Sequence, residues 1–169
     1  MNVKTSRPPP ALAEARLAAL YRERRLELIR LAVLLVGDRE TAEDVVQDVF
    51  ARLHGRDPGV LTLAYVRTCV LNGSRSVLRR RAVALRRTER ARGAVESAEA
   101  AALLGESRRE VLDALRRLPG RQREALVLRF YLDLPEAEIA RTMRVRQSTV
   151  RSTTARALAR LNRELGGNA

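Results

Sequence analysis

The sequence predicts an all-α protein of two small helical domains joined by a flexible linker, the second ending in a helix-turn-helix. Three observations carry that prediction. Apolar residues recur at helical spacing along most of the chain, with no alternating runs of β-branched residues. The 9 Gly and 6 Pro are few inside the periodic stretches. Periodicity lapses over residues 88–106, where Ala and Glu accumulate, and that lapse divides the 169 residues into two blocks.

Residues 1–10 are polar and end in Pro8-Pro9-Pro10, a composition that cannot bury enough surface to order itself. A helix is expected from Ala11, with Leu17, Leu20, Tyr21, Leu28, Leu31 and Leu35 on one side. Between Leu26 and Val36 it is apolar on more than one face, so that half must lie between neighbours. Gly37 suits its C-terminal cap and Asp38 the next N-cap, which makes the connection short and the two helices antiparallel. The second helix, within GDRETAEDVVQDVFARLHGR, turns Ala42, Val45, Val46, Val49, Phe50 and Leu53 inward. Glu43, Asp44, Gln47 and Asp48 form the opposite stripe. Composition alone reads such a stripe as a solvated face whose acids complement a helix N-terminus; a docking face for a basic partner is the alternative.

Past Asp57-Pro58-Gly59, a third helical stretch runs through Leu63, Val66 and Val70 to Asn72-Gly73, where a bend or break is expected. A basic helix follows, with Val77 and Leu78 inward and Arg75, Arg79, Arg80, Arg81, Arg86 and Arg87 clustered along it. Phosphate contacts explain such density, because each arginine that neutralises a phosphate releases counterions. An arginine-rich surface without a partner is the other reading.

The linker carries Glu89, Glu96, Glu99 and, at its end, Glu106. Ser107 and Glu110 make a capping-box pattern for a helix with Val111, Leu115 and Leu118 inside, stopped by Pro119-Gly120. Another helix is expected from about Arg121 to Tyr131, apolar through Ala125, Leu126, Leu128 and Phe130. Leu134 to Leu161 then reads as two short helices around a tight turn. Ile139, Ala140 and Met143 face inward from the first; Val145 closes the turn; Val150, Thr154, Ala157, Leu158 and Leu161 repeat along the second. The outer face of the second offers Gln147, Ser148, Arg151, Ser152, Ala155 and Arg156. Arg pairs bidentately with guanine and Gln with adenine, while Ser and Ala permit close approach, so this face suits a major groove. Two positions depart from the usual pattern. Arg144 stands where a left-handed residue is favoured, so the turn is strained or differently built, and Pro135 stands where a Ser or Thr N-cap is expected. Gly166 to Ala169 should fray.

Lys plus Arg number 33 against 20 Asp plus Glu, a net charge of +13 that favours polyanionic partners. No apolar run approaches the roughly 18 residues of a spanning helix, and MNVKTSRPPPALAEA lacks the apolar core of a signal peptide, so a cytoplasmic protein is expected. A single cysteine, Cys69, and a single histidine, His54, exclude a disulfide framework or a Cys/His zinc site within one chain. With no nucleotide-binding loop, metal cluster or nucleophile-base pattern, neither catalysis nor a cofactor is expected.

Taken together, GDRETAEDVVQDVFARL, AYVRTCVLNGSRSVLRRRAV and LRRLPGRQREALVLRFYLDLPEAEIARTM resemble, in order and spacing, a bacterial RNA polymerase sigma factor of the extracytoplasmic-function type, in its actinobacterial sigma-E-like subfamily. The resemblance spans roughly residues 14–165. It implies a second sigma region over 11–87, a linker over 88–106 and a fourth region over 107–165. Asp44, Gln47 and Asp48 would then dock on the clamp coiled coil of the largest polymerase subunit. Tyr65, Arg67, Asn72, Ser76, Arg79 and Arg80 would meet the minus-ten element, with Asn72 and Ser76 holding an unstacked base and Tyr65 standing where the family usually has Trp. Arg146, Gln147, Ser148, Arg151, Ser152, Ala155 and Arg156 would meet the minus-thirty-five element, and Thr153 would replace a frequent basic residue, removing a phosphate contact. An anti-sigma protein is a further partner the resemblance allows. About 20 extended linker residues span roughly 70 Å, about two duplex turns, so both modules can reach one promoter. From the residues alone, a stand-alone helix-turn-helix repressor or activator and a basic RNA-binding helical protein remain open; the acidic stripe is what a repressor does not need.

Overall fold

A computed structural model of the protein describes residues 10–88 and 106–166. The tail, the linker with Glu89, Glu96 and Glu99, and the last three residues lie outside the described residues, as do the side chains of Pro10, Thr88 and residues 106–108. Seven α-helices and no strand occur among the described residues: α1 (Pro10–Val36), α2 (Arg39–Leu53), α3 (Leu63–Thr88), α4 (Glu106–Arg117), α5 (Gly120–Leu126), α6 (Glu136–Met143) and α7 (Gln147–Gly166). The capping-box expectation at Ser107 rests on a side chain outside those described, and α4 already includes Glu106.

The α1–α2 corner follows from its two residues. Gly37 takes φ +94°, open to glycine at no steric cost, and Asp38 accepts a 2.8 Å hydrogen bond from the Thr41 backbone N–H. The helices fold back on each other, and Leu28, Leu31 and Ala32 of α1 become fully buried, though Leu26 stays exposed. On α2 the buried residues are Ala42, Val45, Val46, Val49, Phe50 and Leu53, the six that the periodicity turns inward. Tyr21 and Phe50 meet edge to face across this pair, ring centroids 5.0 Å apart.

The expected break at Asn72-Gly73 is absent. α3 runs unbroken from Leu63 to Thr88. A Cβ on residue 73 would come within 3.0 Å of Val45 Cγ1, so glycine is there to let α3 lie close on α2. An interior glycine costs a helix only about 1 kcal/mol, which the packing of 26 residues outweighs.

In the second half, α4 buries Leu112 and Ala114 with Leu115 and Leu118, whereas Val111, expected inside, is 39% exposed. The reason is that α4 packs against both α1 and α7, and Leu112 joins the α1 core while Leu115 joins the α7 side. After α5 the chain passes directly into π-helical bonding over Val127–Tyr131, closed by Leu132 N–H to the Val127 carbonyl at 3.1 Å. Asp133 then takes φ +50° before α6.

The two halves share a core. Leu112, Ala125, Val127, Leu128, Ile139, Ala140, Met143 and Val150 belong to one buried cluster with Leu28, Val46, Val66 and Val70. Polar contacts cross the same seam. Arg75 of α3 pairs with Glu124 of α5 and donates to the Thr142 carbonyl at 3.0 Å. Tyr131 Oη donates to the Glu27 carbonyl at 3.2 Å. Arg123, 8% exposed, donates to the carbonyls of Leu35, Arg116 and Leu118. Those carbonyls lie at or just past the ends of α1 and α4, where helices leave acceptors unfilled and carry partial negative charge. Burial lowers the pKa of Arg123, with Arg116 and Arg81 adding repulsion.

Candidate nucleic-acid interface

The helix-turn-helix is built on Ile139, Ala140 and Met143 of α6 against Val150 and Ala157 of α7. Pro135 occupies the N-cap position of α6 itself, extended at φ −67° and ψ 152° and without a capping side chain; Glu136 and Glu138 supply the acids of the first turn. The turn settles the question left open at Arg144, which takes the left-handed conformation at φ 55° and ψ 49°. Val145 N–H reaches back to the Ala140 carbonyl at 2.9 Å, a six-residue closure of the Schellman kind. Left-handed backbone in a residue with a Cβ costs about 1 kcal/mol or more, and the shared core holds it.

One assignment on α7 changes. Thr153, expected at the DNA-facing surface, is buried with Val150 and Ala157, while Thr154, expected inside, is half-buried. The core meets α7 one residue earlier than the spacing suggested, so Thr153 is a packing residue. Arg146, Gln147, Ser148, Arg151, Ser152, Ala155 and Arg156 are all exposed. Two arginines among them are held through the same atom: Arg151 Nε donates to Glu136 Oε2 at 2.7 Å, and Arg156 Nε to the Ser152 carbonyl at 3.1 Å.

On the other half, Asp44, Gln47 and Asp48 are exposed along α2. They border a groove of about 510 Å³ whose far wall is α3, with Ser76, Arg80 and Arg81. Residues assigned to polymerase and to promoter thus flank one depression. Tyr65, Asn72 and Arg79 recur at seven-residue spacing, two turns apart, and all are exposed; Ser76 lies beside them, half-buried. Arg67 does not join them. It stands about 200° around the helix from Tyr65, where its Nε donates to Glu27 of α1 at 2.9 Å.

Two other arginines of α3 are also engaged within the fold, Arg75 half-buried and Arg81 still exposed. Arg75 is taken by Glu124, and Arg81 by the Val36 carbonyl at 2.9 Å and Asp38 at 2.7 Å. Arg79, Arg80, Arg86 and Arg87 are exposed as well. Cys69 is half-buried, and burial pushes its thiol pKa up, so it serves packing. Among the described residues no group of His, Cys, Asp and Glu is placed to hold a metal ion, and no helix is long and apolar enough to cross a membrane.

The family model for sigma-70 region 2 matches residues 20–84, and that for sigma-70 region 4 matches residues 108–161. The chain is 34% identical over 152 residues to an RNA polymerase sigma-E factor of Streptomyces antibioticus, covering 86% of this chain and 82% of that one. The chain belongs to the extracytoplasmic-function sigma factors. A second sigma-E factor, of Streptomyces avermitilis, is 33% identical over 148 residues, with 85% and 82% covered. Among solved structures, the sigma factor RpoE in complex with the anti-sigma factor NepR from Bartonella quintana superposes with a TM-score of 0.65 at 24% identity, covering 88% of this chain and 97% of that one. CnrH in complex with the cytosolic domain of CnrY gives 0.62 at 23%, covering 95% and 98%. These two show the fold. As a sigma factor, the protein binds core RNA polymerase and directs promoter-specific initiation. Two sigma regions in family order displace the stand-alone repressor or activator reading.

Proposed function

We propose that the three exposed polar faces divide the work of initiation among them, with no catalytic group in this chain. The residues assigned to sigma region 2 run over 11–87 and those of region 4 over 107–165, and the protein works in the cytoplasm. Asp44, Gln47 and Asp48 dock on the basic clamp coiled coil of the largest polymerase subunit. Tyr65, Asn72, Ser76, Arg79 and Arg80 meet the minus-ten element, Asn72 and Ser76 receiving an unstacked base on an unbroken helix. Arg146, Gln147, Ser148, Arg151, Ser152, Ala155 and Arg156 meet the minus-thirty-five element. Arg67, paired with Glu27, serves the fold. The similar structures were solved with anti-sigma factors, which supports such a partner here.

The observation that carries this reading is α2, which buries six apolar residues and leaves a separate acidic stripe on a chain of net charge +13. A basic protein that keeps acids together on one face has a use for them. Asp44→Arg with Asp48→Arg should leave the fold intact and abolish core binding, since both side chains are exposed. Equal retention of polymerase by wild type and double variant in a pull-down overturns the docking assignment. For the minus-ten face, Asn72→Ala with Ser76→Ala should impair opening more than closed-complex binding, because unstacking a base costs a few kcal/mol that its receiving contacts offset. Permanganate reactivity of thymines reads this. A defect on duplex promoter rescued by a pre-melted bubble supports the assignment, and normal opening refutes it.

A further inference from the structure

Arg151 reaches out from α7 at 68% side-chain exposure, yet it is not a free side chain: its Nε is engaged by Glu136 of α6 at 2.7 Å. Glu136 comes from the other helix of the motif, fifteen residues away, and sits at the first helical position after the rigid Pro135. The bond uses the one guanidinium nitrogen that guanine recognition does not need. Bidentate pairing with O6 and N7 can be made through the two terminal nitrogens, and neither donates a hydrogen bond among the described residues. Arg156 is restrained by its Nε in the same manner, though by a carbonyl of its own helix.

From this geometry we infer that Glu136 is a positioning residue: it presents the Arg151 fork to a guanine edge and trades general affinity for sequence discrimination. This rests on the reading of Arg151 as a base contact. Two physical effects follow, with opposite signs. Holding an arginine in one rotamer removes part of the entropy lost when it binds a base, so the matched sequence gains. A carboxylate at the DNA-facing end of α6 repels phosphates, so every sequence loses a little. An ion pair that serves only the fold leaves base preference unchanged, and only the phosphate repulsion would remain.

The test uses the full chain assembled with core RNA polymerase on duplex promoters whose upstream element is randomised, at low and moderate salt. The wild-type selection defines the matched element. Arg151→Ala is expected to relax preference at one or two base pairs. Glu136→Ala should relax the same pairs, lowering discrimination by about five- to tenfold, while binding to scrambled DNA tightens at low salt. Adding Glu136→Ala to Arg151→Ala should leave those pairs unchanged. Glu136→Gln, which retains an oxygen acceptor without charge, should keep part of the preference and show the tighter scrambled binding. Melting of the free variants should stay within a few degrees of wild type, the loss of one first-turn acid on α6 being the only change to the fold. If Arg151→Ala relaxes a pair and Glu136→Ala does not, the positioning role is overturned while the base contact stands. If Arg151→Ala relaxes nothing, the base contact itself fails and the inference falls with it.

Discussion

α3 and α7 are both arginine-rich helices, and they spend their arginines differently. On α3, Arg67, Arg75 and Arg81 are taken by Glu27, Glu124 and Asp38, acids on α1, on α5 and at the start of α2. On α7, Arg151 and Arg156 stay on the surface, restrained at Nε, with no hydrogen bond from their terminal nitrogens among the described residues. Charge density along a helix therefore does not measure a nucleic-acid footprint. What matters is which guanidinium nitrogens the fold occupies: partners take terminal nitrogens of Arg67, Arg75 and Arg81 on α3, but only Nε of Arg151 and Arg156 on α7.

The sharpest way to break this comparison is to remove an arginine of the internal kind. Arg123→Ala leaves three carbonyls without their cationic donor, which should cost about 3 kcal/mol and lower the melting temperature by roughly 6–12 °C; calorimetry on the free protein reads it. An unchanged melting temperature would show that the buried guanidinium is not structural. Arg151→Ala should do the reverse, losing about 1–3 kcal/mol of discrimination between matched and scrambled upstream DNA with no change in melting. A uniform loss across sequences would move Arg151 into the phosphate class.

Asp38→Ala sharpens the structural side further. Burial by itself raises the Asp38 pKa, but hydrogen bonds from Thr41 and the Arg81 guanidinium outweigh it, and the net value lies below the ordinary 3.8. A depressed carboxylate pKa stabilises the fold fully above the unfolded value and loses that contribution as pH falls through the folded one. The variant should thus be about 1 kcal/mol less stable at neutral pH, with the gap to wild type closing below about pH 4; equal stability at pH 7 and pH 3 in urea melts refutes this. The smallest effect belongs to Arg79→Ala with Arg80→Ala. If both touch phosphate, the slope of log K against log salt should shrink by about 1.8, with melting unchanged.

The sequence reading succeeded where an element meets its core on one side. α2's six inward residues, the α6 trio Ile139, Ala140 and Met143, and the Gly37-Asp38 corner all follow from local periodicity and local backbone chemistry. It failed where tertiary contact chose. Val111 lost its place because α4 has two neighbours, and Asn72-Gly73 reads as punctuation although Gly73 is a contact surface for Val45. Arg75 and Arg81 looked like solvent-facing charge because their partners lie 49 and 43 residues away. The exposed face of α7 was legible for the opposite reason: once Val150 and Ala157 turn inward, Ser148, Ser152 and Ala155 can only face out.

Arg123 also makes the seam between the halves unequal in its tolerance of mutation. Every acceptor it holds, at Leu35, Arg116 and Leu118, is a main-chain oxygen, present whatever side chain the position carries. Substitutions at those three positions leave the oxygens in place as long as the helices end where they do. For this contact alone, one side chain is indispensable and three are not, although burial still constrains Leu35 and Leu118. In a family tree, this contact should be traced by the persistence of a single arginine and by conserved helix lengths, with no covarying partner to mark it.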